Sequence, residues 1–357
     1  MANVTYLIGA GASAGKRDGA NILEGLPCVA DIKRRLEILI HAFQMAAFPD
    51  GFDWRNVQLE LKTLQDWENA KNTIIEDLQE LKNICDHNAT IDTYAKKLRL
   101  KSDYASLAYI ERLLTFYFVL EQILLPPDSR YDTFLASVLD EGMLFPEHIK
   151  VISWNYDSQF EIAFDEYEQR FGLNIGSKTN AKEDQKYDIV KINGSARFNR
   201  MEFLPQMRKT WLKKIEDSKA ELKTLESVKV QILLGDIIMF YMSNVFHRNP
   251  TRENNTQLSF AFDYTNYNDA IYHRVDEIMG NTDVLVVIGY TFPFFNREID
   301  RKILQHLKPD AKIYIQDLSK NIKNVRQSLE AVLTDEQRHA QIIEIDRTDQ
   351  FYLPPEL

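Results

Sequence analysis

The sequence predicts an α/β fold in which a parallel sheet is covered by helices on both faces. Short, uninterrupted apolar runs of strand length occur near both ends of the chain, at Val4–Ile8, Asp283–Gly289 and Lys312–Gln316. Such runs are typical of parallel strands that are buried on both faces of a sheet. Segments with apolar residues at helical spacing alternate with them, as in βαβ units. A glycine-rich turn directly after the first run is the third observation.

That turn is Gly9-Ala10-Gly11-Ala12-Ser13, and Ala14 completes the pattern G-x-G-x-x-A. Small residues let a phosphate approach the backbone, and a helix that follows would direct its unpaired amides at a pyrophosphate. The turn therefore predicts a Rossmann-like, nucleotide-binding fold. Taken alone, a glycine turn after an apolar strand can also be an ordinary structural connection.

Composition narrows the class of protein. The chain has 357 residues, 45% of them hydrophobic, with a net charge of -10 and a pI near 5.3. The negative charge argues against independent binding to nucleic acid or to an anionic membrane. Cys28 and Cys85 are the only cysteines, so we expect no disulfide framework, no four-cysteine zinc site and a cytoplasmic location. No secretion signal or membrane helix is expected, because the longest apolar run, Leu113–Leu125, contains Glu121 and Gln122.

The next segment argues against a dehydrogenase. Such enzymes need a second strand that ends in an acidic residue about 20 positions after the glycines. After Gly25-Leu26-Pro27, apolar residues instead recur at helical spacing through Leu39, and Asp31 stands at the start of that helix.

Two long helical segments interrupt the α/β pattern. They cover residues 53–125 and 206–270, the second being largely helical. We predict one domain over residues 1–357 with these two insertions, which either cap the sheet or contact other subunits. Leu258–Phe262 alternates like a strand, and His247 in the preceding polar loop is more readily structural than catalytic.

Two further apolar runs end in polar residues. Ile149–Asp157 ends with Asn155 and Asp157, and Tyr187–Ser195 ends with Asn193 and a glycine. The carboxyl ends of parallel strands open into the ligand crevice, so these side chains are candidates for chemistry. Each one alone could simply close its own turn by hydrogen bonding.

Five short stretches occur in a characteristic order: Gly9-Ala10-Gly11-Ala12-Ser13, Gly25-Leu26-Pro27, Trp154-Asn155-Tyr156-Asp157, Lys191-Ile192-Asn193-Gly194-Ser195 and Ile288-Gly289-Tyr290-Thr291-Phe292. Together they resemble the sirtuin family, and specifically its bacterial sirtuin-like branch in anti-phage defence. The stretches make up a small part of the chain directly but span nearly all of it.

The resemblance implies NAD⁺ as substrate and assigns its binding residues. The turn residues Gly9, Ala10, Gly11, Ala12 and Ser13 would hold the pyrophosphate, with Gly194 and Ser195 also on the cofactor. The adenosine end would be lined by Gly289, Tyr290, Thr291, Gln316, Asp317 and Leu318.

The resemblance also implies the catalytic residues. Asn155 would lie beside the nicotinamide ribose and orient water during loss of nicotinamide, which passes through an oxocarbenium-like state. Asp157 would support the loop through backbone hydrogen bonds, and Asn193 would occupy the position of the family's histidine base.

Two departures from the family bear on activity. The four-cysteine zinc module of the lysine deacylases is missing, which disfavours a peptide deacylase and an ADP-ribosyltransferase; no zinc or other metal is expected. Asn193 cannot take a proton near neutral pH. Hydrolysis would then use water oriented by Asn155 and Asn193, or another group such as His247, or the site binds NAD⁺ without cleaving it.

The sequence thus leads to two hypotheses. The first is a regulated NAD⁺ hydrolase that produces nicotinamide and ADP-ribose and acts in anti-phage defence by NAD⁺ depletion. By family analogy it would form a homo-oligomer and work with a ring-forming, HerA-like motor ATPase or an Argonaute-type protein. The second is a weakly active or inactive NAD⁺- or ADP-ribose-binding subunit that scaffolds a defence complex.

Overall fold

The structure is a computed structural model, and it describes residues 1–48, 51–53, 61–142, 144–170, 189–199, 201, 204–246, 256–260, 262 and 269–357. The chain divides into two compact units. The sheet unit comprises Met1–Leu26, Pro127–Gly194 and Ser259–Leu357, and the helical unit comprises Pro27–Pro126 and Ser195–Leu258. His247 and the predicted strand residues Tyr187 and Asp188 lie outside the described residues.

The strands are β1 (Val4–Ile8), β2 (Arg17–Asp18), β3 (Asn21–Ile22), β4 (Ile149–Ser153), β5 (Ile189–Lys191), β6 (Gly194–Phe198), β7 (Thr256–Leu258), β8 (Val284–Ile288), β9 (Lys312–Gln316) and β10 (Ile342–Ile345). The helices are α1 (Ile32–Met45), α2 (Leu64–His87), α3 (Ile91–Leu100), α4 (Tyr104–Leu124), α5 (Ser129–Val138), α6 (Gln159–Arg170), α7 (Leu204–Asp217), α8 (Glu226–Tyr241), α9 (Asp269–Asn281), α10 (Arg297–Leu304) and α11 (Ile322–Glu330).

The sheet unit is built on six parallel strands in the order β10-β9-β8-β1-β4-β5. Read from the β5 edge and renumbered along the chain, these six strands have the order 3-2-1-4-5-6, which is that of Rossmann-type dinucleotide-binding folds. The prediction of an α/β, Rossmann-like parallel sheet is therefore confirmed.

Side chains alternate between two apolar layers, one on each face of this sheet. Leu7, Leu285, Val287 and Ile313 pack with the apolar residues of α9, α10 and α11. Val4, Tyr6, Ile8 and Val286 pack with those of α5 and α6. Each such side chain contributes about 1.5–3 kcal/mol when it is fully buried, so both helix layers hold the strands in place.

The helical unit has its own core. Helix α1 packs on α2 and α8, and α4 packs on α7. Helix α2 begins with a capping box, in which Thr63 accepts from the Asp66 amide and Asp66 accepts from the Thr63 amide. Strands β6 and β7 form a separate two-stranded sheet.

Within the described residues, one helical stretch, Glu226–Phe246, is long and apolar enough to cross a membrane by length and composition. Its side chains at Val230, Leu233, Ile237 and Tyr241 are buried in the protein. A core helix of the helical unit accounts for the same apolar pattern.

The structure differs from the sequence-based expectations at two local elements. The glycine turn itself forms one 3₁₀ turn, Ala10–Ser13, and the next element is the strand β2 instead of a helix. The strand predicted at Leu258–Phe262 lies earlier, at Thr256–Leu258, because that segment pairs with β6 while Phe260 is buried against other aromatic rings.

The two predicted insertions overlap the segments of the helical unit but start later than these do. The helical unit begins at Pro27 because α1 packs on α2 and α8. The prediction of one domain with two insertions is not tested by this division and stays a prediction.

Candidate functional site

The strand order places the switch point of the sheet, where α/β folds have their ligand crevice, at the carboxyl ends of β1 and β8. Strand β1 pairs with β4 on one side and with β8 on the other. The chain runs from β1 to β4 on one side and from β8 to β9 on the other, and ligands of open α/β sheets bind where neighbouring strands connect in opposite directions in this way. The loop after β1 begins at Gly9 and the loop after β8 begins at Gly289, so both glycine stretches meet there.

These two loops are in direct backbone contact. The Gly11 amide donates to the Gly289 carbonyl at 2.9 Å, and the Gly9 amide donates to the Ile288 carbonyl at 3.0 Å. A Cβ on Gly11 would lie 2.7 Å from the Gly289 Cα, and one on Gly289 would lie 2.4 Å from the Gly11 Cα. Gly289 also has a φ of +60°. Glycine is therefore required at both positions by the packing of the loops on each other.

The same contacts use the amides of the glycine turn. Gly9 and Gly11 donate to the loop after β8, and the Ala12 amide donates to the Gly9 carbonyl at 2.8 Å. Ala10, at the tip of the turn, is exposed. The predicted pyrophosphate role of Gly9–Ser13 stays a prediction.

Gly25 lies against the end of this turn. It has a φ of +82°, and a Cβ on it would lie 2.5 Å from the Ser13 carbonyl oxygen. The Leu26 amide donates to that same carbonyl at 2.7 Å. The glycine turn and the stretch that begins with Gly25-Leu26 are thus adjacent in the fold.

Asn155 is held on the glycine turn by one end of its side-chain amide. Its Nδ2 donates to the Gly9 carbonyl at 2.9 Å and to the Ser13 Oγ at 3.2 Å. Because a carbonyl oxygen only accepts, this contact fixes the orientation of the amide. The Asn155 side chain is 7% exposed, and its Oδ1 takes part in no hydrogen bond with the described chain. That oxygen is an available acceptor at the edge of the crevice.

Ser13 connects Asn155 to a second buried hydroxyl. Its Oγ lies 3.0 Å from the Tyr131 hydroxyl, and both residues are buried. Tyr131 lies on α5 and packs edge-on against Phe351 at 4.9 Å. The position of the Asn155 amide is therefore fixed by a rigid part of the core.

Asn193 is a buried residue, and its side-chain amide forms a hydrogen bond at one end. Its Nδ2 donates to the Trp154 carbonyl at 2.9 Å, whereas its Oδ1 is buried and has no hydrogen-bond partner in the described part of the chain. The Trp154 Nε1 is also buried there without a partner. Most buried polar atoms are paired in proteins, so an unpaired acceptor and an unpaired donor on contacting residues favour a polar ligand nearby.

Asp157 has the contacts of a helix cap. Its Oδ1 accepts from the Gln159 amide at 3.0 Å at the start of α6, and its carbonyl accepts from the Lys191 ammonium. Burial raises the pKa of the Asp157 carboxyl, while the charge of Lys191 and the hydrogen bonds from Gln159 and Ser13 oppose that rise. The supporting role expected for Asp157 from the sequence stays a prediction.

The residues predicted at the adenosine end differ in burial and in hydrogen bonding. Tyr290 is buried in the core, and Thr291 is exposed. The Gln316 side chain donates to the Arg347 and Gln350 carbonyls and accepts from the Tyr352 amide. Asp317 accepts from the Leu318 amide at 2.7 Å before α11. Thr291 and Leu318 are thus the exposed side chains in this group.

Gly194 and Ser195 begin β6. Gly194 has a φ of +65° and ends the sheet unit, while Ser195 opens the helical unit. Their predicted contact with the cofactor stays a prediction.

Sequence reasoning missed Arg130, which lies beneath the glycine turn. Its Nη2 donates to the carbonyls of Gly11 at 2.9 Å and Ala12 at 3.2 Å, and its guanidinium pairs with Asp128 at 2.6 Å. Arg130 also lies over the Phe351 ring at 5.2 Å. The sequence signal was an arginine just after the break Pro126-Pro127, at the start of a helix that contacts the turn.

No family model matches this chain, and no curated protein matches it. Over the described ranges, no group of three or more His, Cys, Asp or Glu side chains is placed to hold a metal ion.

Proposed function

We propose that the chain is a sirtuin-like NAD⁺ hydrolase that releases nicotinamide and ADP-ribose. One observation carries this proposal: at the switch point of a Rossmann-type sheet, Asn155 is tied by Nδ2 to Gly9 and Ser13 while its Oδ1 is unused. A dinucleotide is the ligand class that such a switch point takes. An amide oxygen that is fixed beside it can orient a water molecule.

The reaction needs few protein groups. The bond between the ribose C1′ and the nicotinamide nitrogen breaks, and nicotinamide leaves as a neutral molecule with the bonding electrons. A water oxygen then adds to the oxocarbenium-like C1′, and the water loses a proton to solvent. The fixed amide dipole of Asn155 stabilises the developing positive charge without acting as a nucleophile.

Asn193 takes a second polar role in this scheme. Its buried Oδ1 lacks a partner in the described chain, as does the Trp154 Nε1. Each unpaired buried atom costs free energy. A bound ligand or an ordered water that donates to Asn193 and accepts from Trp154 would remove both costs. Asn193 therefore binds or orients, and it transfers no proton.

A second function, NAD⁺ or ADP-ribose binding without cleavage, is favoured by different observations. The amides of Gly9, Gly11 and Ala12 donate to protein carbonyls, and Asp157 is engaged as a helix cap. Such a chain would serve as a scaffold subunit whose conformation reports the nucleotide.

We also propose a cytoplasmic role as a regulated effector of anti-phage defence, because unrestrained NAD⁺ loss would harm the host. Partner contacts would lie on the helical unit, where Leu100, Tyr104 and Leu222 are exposed. A homo-oligomer, a HerA-like motor ATPase and an Argonaute-type protein are the proposed companions, and this rests on the family resemblance. Co-purification and light scattering test each of them.

The decisive experiment follows nicotinamide release from NAD⁺, with and without the candidate partners. We expect Asn155→Ala to lower the rate on the order of 100-fold, a loss typical of removing one preorganised polar group. NAD⁺ affinity should persist, because the glycine loops remain. Asn324→Ala, an exposed asparagine on α11, is the matched control and should behave like the wild type.

Other results would decide between the two functions. Nicotinamide release that is unchanged in Asn155→Ala would contradict the role of Asn155 in the reaction. NAD⁺ binding with no release by the wild type under any condition would support the scaffold, and Asn193→His then tests whether a base restores cleavage.

A further inference from the structure

A buried carboxyl group, Asp300, lies behind the crevice and forms no ion pair with the residues that the structure describes. Asp300 on α10 is 1% exposed, and its Oδ1 accepts from the Tyr290 hydroxyl at 2.8 Å. Its Oδ2 is buried and has no hydrogen-bond partner among the described residues. Carboxyl groups are rarely buried in this way unless they are paired, so the contact with Tyr290 calls for an explanation.

Tyr290 is held at its hydroxyl and at its ring. The Asn296 Nδ2 donates to the Tyr290 hydroxyl at 3.2 Å, and that hydroxyl donates to Asp300. The Tyr290 ring stacks on the Trp154 indole with 5.1 Å between ring centroids and an interplanar angle of 8°. The indole therefore rests on a ring whose far end is fixed by hydrogen bonds.

Trp154 in turn connects the two amides of the candidate site. Its own amide donates to the Ile8 carbonyl at 3.0 Å, and its carbonyl accepts from Asn193 at 2.9 Å. Asn155 is the next residue in the chain. A small movement of the indole would thus move both amides relative to the glycine turn.

We propose that Asp300 is a positioning residue for the amide pair Asn155 and Asn193. By accepting the hydrogen bond of the Tyr290 hydroxyl, it fixes the ring on which Trp154 stacks and so the backbone that joins the two amides. The catalytic consequence rests on the proposed NAD⁺ hydrolysis, whereas the structural link does not.

The chemistry of the carboxyl group makes this link sensitive to pH. Burial raises the pKa of Asp300 to about 8, with the Tyr290 hydrogen bond opposing the rise, so near neutral pH the group is an uncharged acid. Above that pH an anion would stand in an apolar site without a cation. The charged side chains on α10 and on the α9 helix packed against it pair elsewhere or are exposed: Arg297, Glu298, Arg301, Lys302, His273, Arg274, Asp276 and Glu277.

The first test measures the link directly, by the indole ¹H–¹⁵N resonance of Trp154 in NMR spectra of the full chain. Trp154→Phe assigns the resonance among the four tryptophans. In the wild type the resonance should titrate with a midpoint near pH 8, and in Asp300→Asn this titration should vanish. Glu298→Gln, on the same helix and exposed, is the control and should titrate like the wild type. A resonance that does not titrate, or that titrates equally in Asp300→Asn, would overturn the proposal.

The second test measures nicotinamide release by the same variants. Tyr290→Phe removes only the hydroxyl and should lower kcat about tenfold with little change in KM, because the amides are displaced while the binding loops remain. The wild-type kcat should fall as the pH rises through about 8, and Asp300→Asn should lack this fall. Asp300→Asn should also lose less activity than Asp300→Ala. Equal kcat values in Tyr290→Phe and the wild type would overturn the catalytic part.

The two tests separate the two proposals. If the wild type releases no nicotinamide but the indole titrates with Asp300, the hydrolase fails and the positioning link stands. If the wild type is active and the indole does not respond to Asp300, the positioning link fails alone.

Discussion

Asn155 and Asp300 show how single side chains of the sheet unit can have opposite relations to water. Asn155 uses one end of its amide on the glycine turn and keeps the other as an acceptor at the crevice. Asp300 is buried behind the crevice, and the Tyr290 hydroxyl is its one side-chain partner among the described residues. The first arrangement prepares a contact with a ligand, and the second costs stability at the pH of the cell.

That cost has a predictable pH dependence. The Asp300 pKa is about 8 in the folded chain and 3.8 ordinarily. Between these values the unfolded chain has released the proton that the folded chain still holds. Stability from this group is therefore full below about pH 4 and falls as the pH rises to about 8, by up to ~1.4 kcal/mol per pH unit.

Asp300→Asn removes this contribution. We expect the variant to gain stability relative to the wild type steadily from pH 5 to pH 8, measured by urea unfolding at several pH values. A free energy of unfolding with the same pH dependence in both proteins would show that Asp300 is ionised in the folded chain.

At the scale of elements, the loops after β1 and β8 depend on each other. Gly289 combines a positive φ with a Cβ position that clashes with the Gly11 backbone, whereas Gly19 has a φ of +56° and nothing within 4 Å of its Cβ position. Both substitutions to alanine strain the backbone, but only one also separates the loops.

We expect Gly289→Ala to destabilise the protein by several kcal/mol and to abolish NAD⁺ binding, while Gly19→Ala costs only about 1 kcal/mol. Thermal unfolding and isothermal titration calorimetry measure the two effects. Equal losses in the two variants would mean that φ, and not the contact between the loops, requires glycine at position 289.

Three helices of the helical unit are joined by one buried guanidinium. Arg35 on α1 pairs with Glu121 on α4 at 2.9 Å and with Glu226 on α8 at 2.7 Å. The Arg35 and Glu121 side chains are 5% and 0% exposed, so loss of the arginine would leave a buried carboxylate without a cation.

Arg35→Met should therefore cost about 3–5 kcal/mol in chemical denaturation. Lys16→Met, which breaks the exposed pair with Glu24, is the control and should cost less than about 1 kcal/mol. Adding Glu121→Leu to Arg35→Met should recover much of the loss. No recovery would mean that packing by Arg35, and not its charge, holds the helices.

The sequence predicted the elements that local pattern decides. The run Val284–Ile288, for example, is apolar on both faces, as is typical of a strand that is buried in a parallel sheet. The 3₁₀ turn at Ala10–Ser13 and the position of β7 were missed because they depend on partners distant in sequence: Gly289 for the turn and β6 for the strand.

The same limit applies to the candidate site. Asn155, Asn193 and the glycines were found because they follow strands of a parallel sheet. Arg130 and Asp300 were missed, because an arginine after a proline break and an aspartate in an amphipathic helix resemble surface residues in sequence. Only the fold places Arg130 on the Gly11 carbonyl and Asp300 on the Tyr290 hydroxyl.

At the scale of the whole molecule, the sheet unit offers two opposite ends to a ligand. The carboxyl ends of the strands carry the glycine loops and Asn155. The amino ends border a cavity of about 380 Å³ that is lined by charged and polar side chains: Asn3, Thr5, Glu147, Lys150, Arg274, Glu277 and Asn281. The strand order favours the carboxyl ends for a dinucleotide.

A crystal structure of the chain with ADP-ribose would show whether NAD⁺ binds and is cleaved at these carboxyl ends. We expect the product to lie along the loops at Gly9–Ser13 and Gly289–Phe292, with its terminal ribose beside the Asn155 Oδ1. A product bound in the cavity at the amino ends, or one whose terminal ribose lies away from Asn155, would contradict it.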